Sequence, residues 1–268
     1  MPHATLNGQR LYYEDSGGQG DAIVFSHGLL MDHEMFAPQV EALRSTHRVI
    51  TWDERCHGKT EATPDPFTYW DSAADLAALL DHLGVESAVL GGMSQGGFLS
   101  LRLALRHPER ARALVLIDTQ AGIEDPDKAA TYGLMLDVWE EEGLHEPMGE
   151  TIAAILFGSE WSGRAPWIAK WRERPRGSLR QSFVPLVKRE DIHDRLGEIK
   201  AHALVIHGTA DTAIDMELAQ RLCSGLPNCV GLEQIEGAGH SSNLTHPEPV
   251  NRAIGKFLAE LALPLPRC

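Results

Sequence analysis

Short apolar runs bounded by turn residues alternate along the chain with stretches whose apolar residues recur every three to four positions. AIVFSHG (22–28), RVITWD (48–53), SAVLGGMS (87–94), ALVLID (113–118), ALVIHGTAD (203–211) and CVGLEQIEG (229–237) read as buried strands. DSAADLAALLDHLG (71–84) reads as a helix that opens at an Asp cap and stops at Gly84. GGFLSLRLALRHPERA (96–111) reads as a helix closed by His107-Pro108, and PEPVNRAIGKFLAELAL (247–263) as an amphipathic C-terminal helix. Strands that are apolar throughout and separated by helices predict a parallel sheet covered on both faces. Right-handed crossovers then bring the loops after the strands to one edge, where a site is expected. One stretch, 122–199, breaks this rhythm with helical patterns, no convincing strand and the tryptophans Trp139, Trp161, Trp167 and Trp171. The prediction is a core of 1–121 and 200–268 with a helical cap, 122–199, inserted at the active edge.

Composition narrows the function classes. The chain has 268 residues, 43% of them hydrophobic, enough for one large core and a small insertion. Its net charge of -14 argues against a nucleic-acid partner, which needs clustered Lys and Arg. The N-terminal MPHATLNGQRLYYED has no basic start before an apolar run, and no apolar stretch reaches the ~18 residues of a membrane span. No secretion, no membrane partner and a cytoplasmic location are expected. Cys56, Cys223, Cys229 and Cys268 form no CxxC pair and no zinc-type cluster, so reduced thiols are expected in preference to a Cys223–Cys229 disulfide. Nothing separates a monomer from a homodimer.

Candidate chemistry centres on GGMSQGG (91–97). A serine hydroxyl is a poor nucleophile unless a base removes its proton and donors stabilise the oxyanion. Gly92-Met93-Ser94-Gln95-Gly96 fits G-x-S-x-G, with a strand before it and a helix after it, which is the context of a nucleophile elbow. Of thirteen histidines, His240 in EGAGHSSN follows the last strand at the same edge. His246 is the competitor, but Thr245 and Glu248 read there as a capping box, and a helix N-terminus disfavours an imidazolium. For the acid, Asp211 directly after its strand is favoured over Asp118 and Asp215. The oxyanion donors are expected to be the backbone N–H groups of Gln95 and Leu29, with His27 bracing the Leu29 loop. Met93, Trp139, Phe157, Trp161 and Trp167 are the expected substrate-binding residues, although cap aromatics are as often only the core of the cap.

SHGLL, WDERCHGKT, GGMSQGG, HGTAD and GAGHSSN, in this order, resemble the α/β-hydrolase superfamily. HRVITWDERCHGKTE, LLDHLGVESAVLGGMSQGGFLSLRLALRHPERARALVLIDT and GHSSNLTHPE are similar to the small esterases and lactonases around 3-oxoadipate enol-lactonase. The resemblance implies an α/β-hydrolase fold, a doubly wound and mostly parallel sheet with a helical cap after the sixth core strand. It implies a serine hydrolase without cofactor or metal, acting through an acyl-enzyme on a small-molecule ester or lactone, with Ser94, His240 and Asp211 in the triad. Two departures stand out. Cys56 occupies the glycine position of the family's D-x-R-G-x-G, which costs roughly 1–2 kcal/mol if φ is positive there. The enol-lactonases also often lack the His-Gly found at 27–28. Ser94 argues against dehalogenases and epoxide hydrolases, Met93 against carbon–carbon bond hydrolases, and Phe98-Leu99 against perhydrolases and haloperoxidases. The alternatives kept are the last two classes and a small-molecule receptor with weak turnover. The basic run containing Arg164, Lys170, Arg172, Arg174, Arg176, Arg180, Lys188 and Arg189 reads as a solvated face, ahead of a site for a substrate carboxylate.

Overall fold

The computed structural model describes residues 2–63, 65–174 and 179–261. Its eight strands are β1 (His3–Leu6), β2 (Gln9–Asp15), β3 (Ala22–Ser26), β4 (Arg48–Trp52), β5 (Ala88–Met93), β6 (Ala111–Ile117), β7 (His202–Gly208) and β8 (Cys229–Ile235). They form one sheet in the order β1-β2-β4-β3-β5-β6-β7-β8. The pairs β1–β2 and β2–β4 are antiparallel and every later pair is parallel. The helices are α1 (Ala37–Leu43), α2 (Tyr69–His82), α3 (Gln95–Arg106), α4 (Pro126–Glu142), α5 (Glu146–Phe157), α6 (Ala165–Glu173), α7 (Leu179–Lys188), α8 (Met216–Gly225), α9 (Ser242–Thr245) and α10 (Pro247–Leu261).

Alternation along each strand sorts the core into two layers. Val24, Ile50, Leu90, Leu114 and Val205 face α2, α3 and α8 on one side. Ile23, Phe25, Val49, Val89, Val115 and Ile206 face α1 and α10 on the other. All six residues of β5 are buried, as a central strand covered on both faces requires. β8 departs from the expectation of a buried strand. It is the sheet edge, and only Ile235 of its seven residues is buried. The β1–β2 hairpin, absent from the sequence reading, extends the other edge.

Two local expectations change. α2 begins at Tyr69, capped by Thr68, and Asp71 is the third residue of a capping box in which its side chain accepts from the Thr68 N–H at 2.8 Å. Thr245 ends α9 and bonds the Ser241 carbonyl at 3.1 Å, so it opens no capping box with Glu248.

Cys223 and Cys229 are disulfide-bonded, against the expectation of free thiols. Cys223 lies in the last turn of α8 and Cys229 opens β8, so the short return between them brings their Cα atoms to 5.4 Å, within disulfide reach. Cys56 is free and buried, and Cys268 lies outside the described residues. Cys56 has φ 63°, the left-handed conformation expected at the family's glycine position. Burial pushes its thiol pKa up, which leaves it an unreactive core residue.

The helices α4 to α7 all lie between β6 and β7 in the chain. Trp171 donates from Nε1 to the Leu30 carbonyl at 2.8 Å, and Lys170 pairs with Asp32 at 2.7 Å and Glu34 at 2.8 Å. Both contacts tie α6 to the loop after β3.

Candidate active site

β5 runs straight into α3, and Ser94 stands between them at φ 51° and ψ -115°. The Ser94 N–H donates to the Ile117 carbonyl at 2.9 Å, and Thr119 Oγ1 donates to the Ser94 carbonyl at 2.7 Å. The turn is tight enough to exclude any Cβ on its flanks. One at Gly92 would lie 2.2 Å from the Gly96 carbonyl, and one at Gly96 would lie 1.9 Å from the Ser26 oxygen. Gly91 and Gly97 are equally restricted, by the Phe25 ring at 2.3 Å and the Thr119 side chain at 2.5 Å. All four glycines are therefore steric requirements of the turn and its packing.

Two further loops at the same edge complete a hydrogen-bonded chain. His240 Nε2 lies 3.0 Å from Ser94 Oγ, and His240 Nδ1 lies 2.8 Å from Asp211 Oδ2. The other Asp211 oxygen accepts the N–H groups of Ala213 at 2.8 Å and Ile214 at 3.0 Å. The two loops touch through backbone: Ala210 N–H bonds the Ala238 carbonyl at 2.9 Å. Burial opposes protonation of His240, but the Asp211 carboxylate outweighs it and raises the imidazole pKa. Burial likewise opposes ionisation of Asp211, and His240 with the loop N–H groups holds its pKa low.

The alternatives weighed from sequence lie elsewhere. Asp118 accepts from Gly208 N–H at 2.9 Å, and from Ser242 N–H at 2.8 Å and Ser242 Oγ at 2.7 Å. It thus pins the ends of β6 and β7 to the start of α9. Burial and then the nearby Asp211 charge raise its pKa. Asp215 stands at the N-cap position of α8 without a side-chain capping bond, and the His246 ring bonds its neighbour Thr245.

The Gln95 and Leu29 N–H groups donate to no protein acceptor among the described residues. Gly28, just before Leu29, is so close to the elbow that a Cβ there would lie 2.5 Å from Met93 Sδ and 3.6 Å from Ser94 Cβ. His27 braces this loop, with Nδ1 donating to the Gly28 carbonyl at 2.8 Å and Nε2 accepting the Glu54 N–H at 3.0 Å. Glu54, which the sequence reading passed over, is 1% exposed and accepts Gln95 Nε2 at 3.1 Å. Burial pushes its carboxyl pKa up to about 8.

A family model described as alpha/beta hydrolase fold matches residues 21–147. A putative carbamate hydrolase from Caulobacter sp. is 28% identical over 97% of this chain and 98% of its own length. The solved enol-lactonase of Burkholderia xenovorans superposes with a TM-score of 0.83 at 29% identity, covering 96% of this chain and 100% of its own. A thermophilic esterase from Thermogutta terrifontis gives a TM-score of 0.84 at 26% identity over 97% of this chain and 98% of its own. The chain has the α/β-hydrolase fold. The proteins it resembles over nearly its whole length include esterases, an enol-lactonase, putative carbamate hydrolases and putative non-heme haloperoxidases.

Above Ser94 the loops after the strands and the inserted helices line an open cavity of about 960 Å³, a volume that includes solvent space at its mouth. Leu29, Leu30, Met93, Ser94, Phe98 and His240 form its floor. The rest comes mainly from helical stripes: Tyr132, Met135, Leu136 and Trp139 of α4; Ile152, Ile155 and Leu156 of α5; Leu179, Ser182, Phe183 and Leu186 of α7. Of the expected substrate-binding residues, Met93 and Trp139 line the cavity. Phe157, Trp161 and Trp167 do not. Phe157 packs at 4.8 Å from Trp161, 6.3 Å from Trp167 and 5.9 Å from Trp171, ring to ring, so these aromatics form the core of the insertion. No Lys or Arg lines the cavity among the described residues; Arg172 and Arg174 border a separate cleft, and Arg176 lies outside the described residues.

Proposed function

We propose that the chain hydrolyses carboxylic esters or lactones through an acyl-enzyme on Ser94, with His240 as base and Asp211 as orienting acid. The observation that carries this reading is the continuous Ser94–His240–Asp211 hydrogen-bonded chain, at 3.0 Å and 2.8 Å, in the wall of an apolar cavity. The Nδ1–H of His240 points at Asp211, so Nε2 carries the free lone pair and receives the Ser94 proton. Ser94 Oγ bonds to the substrate carbonyl carbon as the carbonyl π pair moves onto oxygen. The Gln95 and Leu29 N–H groups, without protein acceptors, meet that oxyanion together with the N-terminal dipole of α3. Collapse breaks the bond to the leaving oxygen, which takes the proton from Nε2. Water then gives a proton to Nε2, adds to the acyl carbon, and its collapse returns the proton to Ser94 as the acid leaves. The solved relatives called enol-lactonase and esterase support a carbonyl–oxygen bond as the target.

The test is multiple turnover of a short-chain aryl ester by the wild type and by Ser94→Ala. The expected result is a loss of at least about 10⁴-fold in kcat for the variant. Equal turnover by both proteins overturns the serine mechanism, and a single burst without turnover favours a receptor.

A further inference from the structure

We infer that the cavity accepts a neutral, chiefly apolar acyl or ring group that offers one hydrogen-bond acceptor to the Tyr132 phenol, and that it rejects substrates carrying a carboxylate. This inference rests on the ester or lactone reading and specifies the substrate of that same site.

Charge is the first observation. The one charged side chain among the described lining residues, apart from His240 when protonated, is the carboxylate of Glu124. Three cations of the insertion, Arg189, Lys170 and Arg180, each have carboxylates of their own. Arg189 lies behind the wall, 1% exposed, bonding Glu124 at 3.0 Å, the Gly122 carbonyl at 2.8 Å and the Leu186 carbonyl at 2.6 Å, with its guanidinium stacked 4.3 Å from the Phe98 ring centre. Lys170 is held by Asp32 and Glu34, and Arg180 by Asp137 and Glu140. A substrate carboxylate would therefore be desolvated against Leu, Ile, Met and Phe walls with no Lys or Arg among the described lining residues and with Glu124 beside it.

Hydrogen bonding is the second observation. The polar side chains of the lining are Ser94, His240, Glu124, Ser182 and Tyr132, with the indole N–H of Trp139. Ser94 and His240 bond each other, Glu124 bonds Arg189, and Ser182 Oγ donates to the Leu179 carbonyl at 2.8 Å. The Tyr132 hydroxyl and the Trp139 indole N–H have no hydrogen-bond partner among the described residues, and Tyr132 lies nearer the Glu124 end of the cavity wall in the chain. Burial, followed by Glu124 and Asp211, pushes its pKa up to about 12, so it stays a neutral donor. Tyr132 heads the α4 stripe that runs through Met135 and Leu136 to Trp139, which places the phenol at one end of a mainly apolar wall and the indole N–H at the other. A ketone, ether or second ester oxygen satisfies the phenol, and a carboxylate meets the field of Glu124.

Three 4-nitrophenyl esters with the same six-carbon acyl chain test the inference at pH 7: hexanoate, 5-oxohexanoate and the monoester of adipate. The adipate ester should fall at least about 100-fold below hexanoate in kcat/KM, because its carboxylate is buried unpaired. Glu124→Gln frees the Arg189 charge and should narrow that gap by about tenfold or more. In Tyr132→Phe the ratio of 5-oxohexanoate to hexanoate should drop about three- to tenfold, the loss of one hydrogen bond. Adipate hydrolysed within threefold of hexanoate by the wild type overturns the charge assignment. A keto-to-methyl ratio that Tyr132→Phe leaves unchanged overturns the donor assignment. Ser94→Ala in the same assays keeps the two readings apart: retained turnover sinks the acyl-enzyme, whereas a reversed substrate order with Ser94-dependent turnover sinks only the substrate class.

Discussion

Ser94 holds a backbone conformation, φ 51° and ψ -115°, of a kind that costs an L-residue on the order of 1–3 kcal/mol and persists only where its surroundings impose it. Here they are the bonds to Ile117 and Thr119 and the close approach of Gly96 to Ser26. Asp211 and Asp118 separate by partner: Asp211 bonds His240, and Asp118 bonds the backbone that carries the loops. Asp211→Asn should lower kcat by up to about 10⁴-fold by favouring the wrong imidazole tautomer. Asp118→Asn should lower thermal stability first and kcat less; the reverse ranking in a kinetic and melting comparison contradicts the assignment. Because Asp211 raises the His240 pKa, the base is free only above the ordinary histidine value of 6.5, and the acid limb of kcat/KM should sit above that pH. Glu54 gives a stability prediction with a defined sign. Its folded pKa of about 8 exceeds the usual 4.5, so between these values the folded protein holds a proton that the unfolded chain has lost. Stability therefore falls as pH rises through that window. Glu54→Gln should gain melting temperature relative to the wild type on going from pH 5 to pH 8, and a constant difference would show that Glu54 does not titrate there. That Ser94, Asp211 and His240 meet was legible because glycines, strand ends and chain order mark them. Glu54 was not, because WDER reads as a loop, and only the fold reveals that its carboxyl is buried against Gln95.

The strands were legible as elements because apolar runs between turn residues leave little else to form. Their burial was less so: β8 has a strand's composition, but its edge place is decided by sheet order. In the insertion, large aromatics were a partial guide, right for Trp139 but not for Phe157, Trp161 and Trp167, and helical spacing was the better one. Tyr132, Met135, Leu136 and Trp139 recur at i, i+3, i+4 and i+7, as do Leu179, Ser182, Phe183 and Leu186, and both stripes face the cavity. Trp161 and Trp167 instead meet Phe157, which a sequence cannot distinguish from lining a pocket. The elbow offers a test of its own. Gly92→Ala puts a Cβ 2.2 Å from Gly96 backbone, in a turn that cannot yield without moving Ser94. The variant should lose more than about 3 kcal/mol of stability or fail to fold, while Gly133→Ala, which meets nothing within 4 Å, should not. Comparable melting of the two variants would contradict the steric account.

At the scale of the molecule, eight strands collect three separate loops at one sheet edge, and the inserted helices roof that edge with apolar side chains. The Cys223–Cys229 link joins α8 to the edge strand β8, on the path that leads to His240. The loop it closes is short, so reducing it should cost about 2 kcal/mol in a denaturant titration, with the Ser94–His240–Asp211 geometry unchanged. An unaltered midpoint would show that the link contributes nothing. The central claim is that Ser94 is the atom carrier that becomes acylated. Its most direct test is mass spectrometry of the protein after reaction with diethyl 4-nitrophenyl phosphate, which traps an activated serine as a stable diethyl phosphoryl adduct. The account predicts one adduct, on the peptide containing Ser94, formed in step with loss of esterase activity and absent from His240→Ala. An adduct elsewhere, or full inactivation with Ser94 unmodified, would contradict it.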